Sequence, residues 1–197
     1  MSSRLKELLN QIASGQTDPQ SAAGQIDSEF GRDCTVMVSD FSSFLELTRE
    51  KGTVLALSMV EKAHEISKPI LSTLSGNVLR AELDSLVVTF DKTMDAVMAA
   101  RALSRAFEEH NSKQSDSTRL AVCLGIGTGR MIVTESHVFG EQAIMASRLG
   151  EAVEGELEVR LTPEAHEAVK SMESLQFAQA EPVNIGGVQI TPYKLIL

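Results

Sequence analysis

Apolar and polar positions along this 197-residue chain change period several times. Leu5, Leu8, Leu9 and Ile12 recur at helical spacing, and Gly15 ends the run. Asp18-Pro19 opens a second helix through Ala22, Ala23 and Ile26, which Gly31 closes. The run Cys34-Thr35-Val36-Met37-Val38-Ser39 is strand-like. Phe41 to Glu50 reads as helix, Gly52 breaks it, and Thr53 to Leu74 forms a long amphipathic helix with Pro69 as a candidate kink. Val78 to Glu82 and Ser85 to Phe90 are two short strands around a tight turn, and Asp95 to His110 is an Ala-rich helix. Leu120 to Gly127 and Arg130 to Thr134 are strands, and the glycine-rich Gly125-Ile126-Gly127-Thr128-Gly129 reads as a hairpin turn between them. Glu141 to Ala152 is a helix and Glu156 to Leu161 a strand. Thr162-Pro163-Glu164 opens another helix with cap, proline and acidic first turn in order. The tail, Val183 to Leu197, carries two short strands around Gly186-Gly187.

The resulting order, β-α-α-β-β-α-β with a further αβ extension, predicts an α+β fold. A ferredoxin-like split βαβ core fits it, with a mixed or antiparallel sheet flanked by helices. The chain divides into an N-terminal helical segment over 1–31, packing or regulatory, and a main domain over 32–197.

Composition narrows the partners. Hydrophobic residues make up 43% and charged residues 23%, as one globular domain requires. A net charge of −9 argues against nucleic acid and anionic membranes as partners. No apolar run approaches the ~18 residues of a membrane span. The first residues, Met1-Ser2-Ser3-Arg4-Leu5-Lys6, lack the apolar stretch of a signal peptide. Cys34 and Cys123 both lie in apolar strand runs and read as buried thiols of a reducing compartment. A cytoplasmic location is expected.

Candidate chemistry centres on two aspartates. Asp40 ends one strand run and Asp84 opens another. Carboxylates bordering buried strands are costly unless a cation meets them. If the strands are neighbours, the pair can hold one or two divalent metal ions; the alternative is that both are turn or cap residues. Asp40-Phe41-Ser42-Ser43-Phe44 joins strand to helix, where free backbone N–H groups suit phosphate oxygens. In Val78-Leu79-Arg80-Ala81-Glu82-Leu83-Asp84, period-two alternation puts Arg80, Glu82 and Asp84 on one face if the strand runs that far. In Phe139-Gly140-Glu141-Gln142-Ala143-Ile144-Met145-Ala146-Ser147-Arg148, Ile144 and Arg148 lie one helical turn apart. Arg148 is a phosphate ligand for a partner's site or a surface ion pair. The four histidines lack zinc-site spacing.

These three segments, in this order, resemble the class III adenylate/guanylate cyclase catalytic domain, from about Asp33 to about Pro163. Asp40 through Phe44 matches the family's first metal motif, with Ser43 at the usual glycine. Arg80-Ala81-Glu82-Leu83-Asp84 matches the second, usually Lys-x-x-Gly-Asp before a strand ending in Phe, here Phe90. Phe139 to Arg148 matches the family's helix motif, and Leu149-Gly150-Glu151 resembles a compact bacterial branch.

The resemblance implies two Mg²⁺ or Mn²⁺ ions per site, held by Asp40 and Asp84. It also implies a nucleoside triphosphate substrate, release of pyrophosphate with closure of a cyclic nucleotide, and a head-to-tail homodimer in which Arg148 serves the partner's site. The phosphate cradle would be Phe41, Ser42, Ser43 and Phe44, and the nucleoside half Arg80, His137 and Ile144. This chain departs from the pattern at several of these positions. Ile144 replaces a ribose-orienting asparagine, Arg80 a base-reading lysine, Leu83 a glycine, and His137 the second base-reading residue. Two functions follow from the resemblance: a metal-dependent cyclase acting on ATP in preference to GTP, and a dimeric pseudo-cyclase that binds nucleotide or protein without turnover. A diguanylate cyclase fits poorly, because the turn reads Glu82-Leu83-Asp84-Ser85.

Overall fold

The computed structural model describes residues 2–41, 44–82, 85–114, 118–151 and 157–197. Two N-terminal helices come first, α1 (Ser3–Ala13) and α2 (Pro19–Phe30). Ser2 caps α1 by accepting from the Leu5 amide, and Asp18 caps α2 by accepting from the Ser21 amide at 2.9 Å. Leu5, Leu8 and Ile26 pack together with Ile12, Phe30 and Ile132, so the pair buries its apolar stripe against the sheet. The Arg130 guanidinium grips Asp27 through two bonds of 2.9 Å and reaches Asp33 at 3.0 Å, tying α2 to the strands behind it.

Next come β1 (Gly31–Phe41), α3 (Phe44–Lys51), α4 (Thr53–Thr73), β2 (Asn77–Glu82), β3 (Ser85–Phe90), α5 (Thr93–Asn111) and β4 (Val122–Val133). The sheet order β2-β3-β1-β4, antiparallel throughout, is the expected split βαβ core. A short β5 (Val138–Phe139) folds back on the end of β4, followed by α6 (Glu141–Glu151), β6 (Val159–Leu161) and α7 (Pro163–Val169). Strand β6 joins β4 in parallel and makes the sheet mixed. Strands β10 (Tyr193–Ile196) and β7 (Gln176–Gln179) extend it antiparallel, while β8 (Val183–Ile185) and β9 (Val188–Ile190) form a separate hairpin. Among the described residues, no helix is long and apolar enough to cross a membrane.

The core has two unequal layers. On one face Met37, Phe41, Leu86, Val88 and Phe90 meet Val60, Val97, Leu103 and Phe107 of α4 and α5. On the other, Cys34, Val36, Val38, Val87 and Met131 pack with Ala146 of α6. Helix α6 lies over β1, β4 and β6, so the β2–β3 end of that face becomes a cleft floor. Both cysteines are buried and neither is in a disulfide, and burial, then Asp91 and Asp33, pushes the Cys34 thiol up.

Residues 120–134 differ from expectation. Gly125 to Gly129 is not a hairpin turn: β4 runs unbroken through it. Gly125, Gly127 and Gly129 alternate along the strand and therefore share one face. A Cβ on Gly125 would lie 1.9 Å from the Ala146 carbonyl oxygen, and one on Gly127 2.5 Å from that of Gln142. The glycines admit the backbone of α6; they do not turn the chain. The helix expected from Phe41 starts at Phe44, because β1 continues through Phe41. Pro69 sits inside α4, which continues to Thr73. In the tail, β8 and β9 flank Gly186-Gly187 as expected, whereas β7 carries too little apolar alternation to announce itself.

One side chain in the extension reports on pH. His166 stacks on Tyr193 with centroids 3.6 Å apart and meets the edge of Phe177 at 5.0 Å. Burial is the main cause lowering its pKa from the ordinary 6.5. A histidine with a depressed folded pKa binds fewer protons folded than unfolded, so its contribution is present above about pH 6.5 and lost as pH falls through the folded value. The unfolding midpoint should therefore drop on going from about pH 7.5 to about pH 5.5 by more in the wild type than in His166→Phe. Equal drops in thermal scans would remove this role.

Candidate functional site

Asp40 is the second-last residue of β1, and its Cα partners are Ser85 on β3 and Cys123 on β4. The strand that ends at Asp40 and the strand that begins at Ser85 are neighbours. The pleat puts Val36, Val38 and Asp40 on the α6 face, the first two buried and Asp40 at the rim. The end of α6 comes close: a Cβ built on Gly150 would lie 3.8 Å from the Cβ of Asp40.

A cleft of about 480 Å³ opens here, within the range of small-ligand sites. Its lining brings together three of the expected residues, Asp40, Arg80 and His137. Arg80 stands on β2 opposite Val87, after a register shift between Val78 and Arg80. Among the described residues its buried Nε has no hydrogen-bond partner, and Glu82 Oε2 stays 3.7 Å away. Glu82 is the last described residue of β2 and pairs directly with Ser85. Asp84 and Leu83, like Ser42 and Ser43, lie outside the described residues. Phe41 is buried in the main core and Phe44 packs against it, leaving backbone as what they offer a ligand.

The cleft's outer wall is the arm between β4 and β5. The Thr134 amide donates to the His137 carbonyl at 2.8 Å, and the His137 amide donates to Thr134 Oγ1 at 3.1 Å, closing a tight turn. Ser136 Oγ lies 2.8 Å from His137 Nδ1, and the His137 ring lies parallel to Phe139 at 5.8 Å. The rigid arm thus presents an aromatic plate to the cleft.

Helix α6 supplies the remaining wall. Ala143, Ser147 and Glu151 recur every fourth residue and line the cleft. Ile144 and Arg148, one position on, open instead into an adjoining groove of about 330 Å³ that shares those three walls. Ile144 is 58% exposed, and the Arg148 guanidinium is held by Glu151 at 2.5 Å. The folded chain thus keeps Ile144 and Arg148 apart from Asp40 and Arg80. Among the described residues, no group of three or more His, Cys, Asp or Glu side chains forms a metal cage. Sequence reasoning passed over Ser85, Ser136, Ser147 and Glu151; the four-residue period from Ala143 was the available signal for the last two.

No family model matches the chain. It is 22% identical over 145 residues to "Putative adenylate cyclase 3" of Rhizobium meliloti (strain 1021), a stretch covering 74% of this chain and 24% of that protein. It is 26% identical over 107 residues to the serine/threonine-protein kinase pkn2 of Myxococcus xanthus, covering 54% of this chain and 13% of the kinase. The chain thus spans a quarter or less of the length of these curated relatives. Among solved structures, the adenylate/guanylate cyclase/hydrolase from Silicibacter pomeroyi superposes with a TM-score of 0.71 at 18% identity, over 85% of this chain and 98% of that one. The adenylyl cyclase CyaB of P. aeruginosa gives 0.69 at 17% identity, over 84% and 94%. The guanylate cyclase domain of RhGC from Catenaria anguillulae, in complex with GTP, gives 0.69 at 13% identity, over 84% and 97%. Helices and mixed sheet together are those of a known architecture, and this chain has the fold of class III adenylate/guanylate cyclase catalytic domains.

Proposed function

We propose that the chain is a metal-dependent nucleotide cyclase module, converting ATP in preference to GTP into cyclic nucleotide and pyrophosphate in cytoplasmic signalling. The observation that carries this reading is the pairing of Asp40 with Ser85 at the mouth of a nucleotide-sized cleft also lined by Arg80 and His137. Asp84 immediately precedes Ser85 in the chain. Carboxylate oxygens are hard donors that suit Mg²⁺ or Mn²⁺, so Asp40 and Asp84 are the residues to hold two such ions. Ions bound there would supply charge neutralisation of the triphosphate and activation of the ribose 3′-hydroxyl.

The chain's own residues do the rest. Arg80 is donor-only, with a buried Nε that has no hydrogen-bond partner among the described residues, and suits adenine N1 or guanine O6. His137, backed by Phe139, walls the base. The Ser42–Phe44 backbone is placed in sequence to offer N–H groups to phosphate. Arg148 and Ile144 face away from the cleft of their own chain, which favours a homodimer in which Arg148 meets the partner's triphosphate. The preference for ATP rests on the relative named as an adenylate cyclase.

A second reading, a nucleotide-binding module without turnover, is favoured by Ile144. An exposed isoleucine cannot orient a ribose hydroxyl. The lost hydrogen bond is worth about 1–3 kcal/mol, roughly ten- to a hundredfold in rate. Ile144→Asn should therefore raise cyclase turnover by about that factor. The deciding experiment is an assay of the purified chain with Mn²⁺ or Mg²⁺ and ATP or GTP, reading cyclic product by chromatography. If neither the wild type nor Ile144→Asn makes product with either metal, the enzyme reading falls. Calorimetry with a non-hydrolysable nucleotide then tests the module.

A further inference from the structure

We propose that Glu151 is an internal substitute for a ligand phosphate, setting how tightly the site takes a polyphosphate. The inference rests on the cleft being a triphosphate site. Glu151 is the last residue of α6, where a carboxylate faces the negative end of the helix macrodipole. Two side-chain donors from the preceding turn offset that placement. Ser147 Oγ donates to Oε1 at 3.0 Å, and Arg148 Nη1 donates to Oε2 at 2.5 Å. Both carboxylate oxygens are therefore engaged by groups that suit a phosphate equally well.

The position of Glu151 makes this consequential. It lines both the cleft, with Asp40 and Arg80, and the outer groove, with Ile144 and Arg148. With Ala143 and Ser147 it forms the wall that the two halves of the site share within one protomer, and it is the charged side chain of that wall. A polyphosphate reaching Arg148 must displace it. Arg148 and Glu151 are 61% and 44% exposed, so their ion pair is screened and cheap to open. A ligand with several negative charges gains more from Arg148 than one carboxylate does.

The test is calorimetric titration of the full chain with inorganic tripolyphosphate, for wild type, Glu151→Gln, Arg148→Gln and the double variant. Both side chains are exposed enough for all four proteins to fold. Glu151→Gln should bind about three- to fivefold more tightly than wild type, and that gain should vanish in the Arg148→Gln background. Unchanged or weaker binding by Glu151→Gln, with wild type still binding, overturns the substitution by Glu151 and leaves the triphosphate site standing. A gain that persists undiminished without Arg148 also overturns it, because Glu151 would then act only as bulk charge. Binding by none of the four overturns both this inference and the triphosphate site.

Discussion

Replacing Gly125 by alanine should cost about 3 kcal/mol or more of stability, at the upper end of overpacking penalties. For a domain of this size that lowers the unfolding midpoint by roughly 6–12 °C. An added Cβ would meet the Ala146 carbonyl oxygen at 1.9 Å, the Ala146 carbonyl carbon at 2.8 Å and the Gly150 amide nitrogen at 2.9 Å. All three are backbone atoms of α6, so no rotamer change relieves them, and the helix must move off the sheet. That helix carries Ser147, Arg148 and Glu151, so nucleotide binding should weaken along with stability. Gly24→Ala is the control. It lies inside α2 with nothing within 4 Å of the added methyl, and the helix should gain about 0.5–1 kcal/mol. Thermal unfolding followed by circular dichroism reads both. A Gly125→Ala protein as stable as wild type would mean that α6 does not dock on β4 in this way.

The same glycines mark where sequence reasoning stopped. Period alone located β1, β3, α4 and α5, because their apolar faces are buried and burial leaves a pattern. Caps located α2 and α7, where Asp18 and Thr162 accept from amides three residues on. The sequence left open whether Asp40 lies beside the start of β3; the pairing of Asp40 with Ser85 answers that. Glycine, however, has two meanings in a strand. It marks a turn when the backbone must bend and a contact when another backbone approaches, and only the docked helix distinguishes them. The site role of Glu151 was missed for a similar reason, although its four-residue spacing from Ala143 and Ser147 was there to be read. In sequence it lies near the end of a helix, and its relation to Asp40 arises because Gly125 and Gly127 admit the backbone of α6 to the sheet. Residues on one element were legible; residues brought together by packing were not.

Asp40→Asn should lower cyclase turnover by at least about a hundredfold, since metal-borne charge stabilisation is worth several kcal/mol. The substitution keeps shape and removes charge. Asp40 sits where a β1 strand buried on both faces gives way to the cleft, a place where a cation stabilises a carboxylate. A neutral amide there should leave cooperative unfolding intact and remove the electrostatic reason for a divalent ion to bind. Mn²⁺ titration followed by electron paramagnetic resonance gives a readout independent of turnover, and Asp40→Asn should bind at least about tenfold more weakly than wild type. Asp84→Asn should behave alike in both measurements if the two aspartates hold the ions together. A drop in activity without a drop in Mn²⁺ affinity would assign Asp40 to substrate positioning. Full activity and full affinity in Asp40→Asn would sink the metal role. Should the wild type bind Mn²⁺ and nucleotide yet make no product, the comparison still holds. It would then separate a site that kept its carboxylates from one that lost turnover at Ile144.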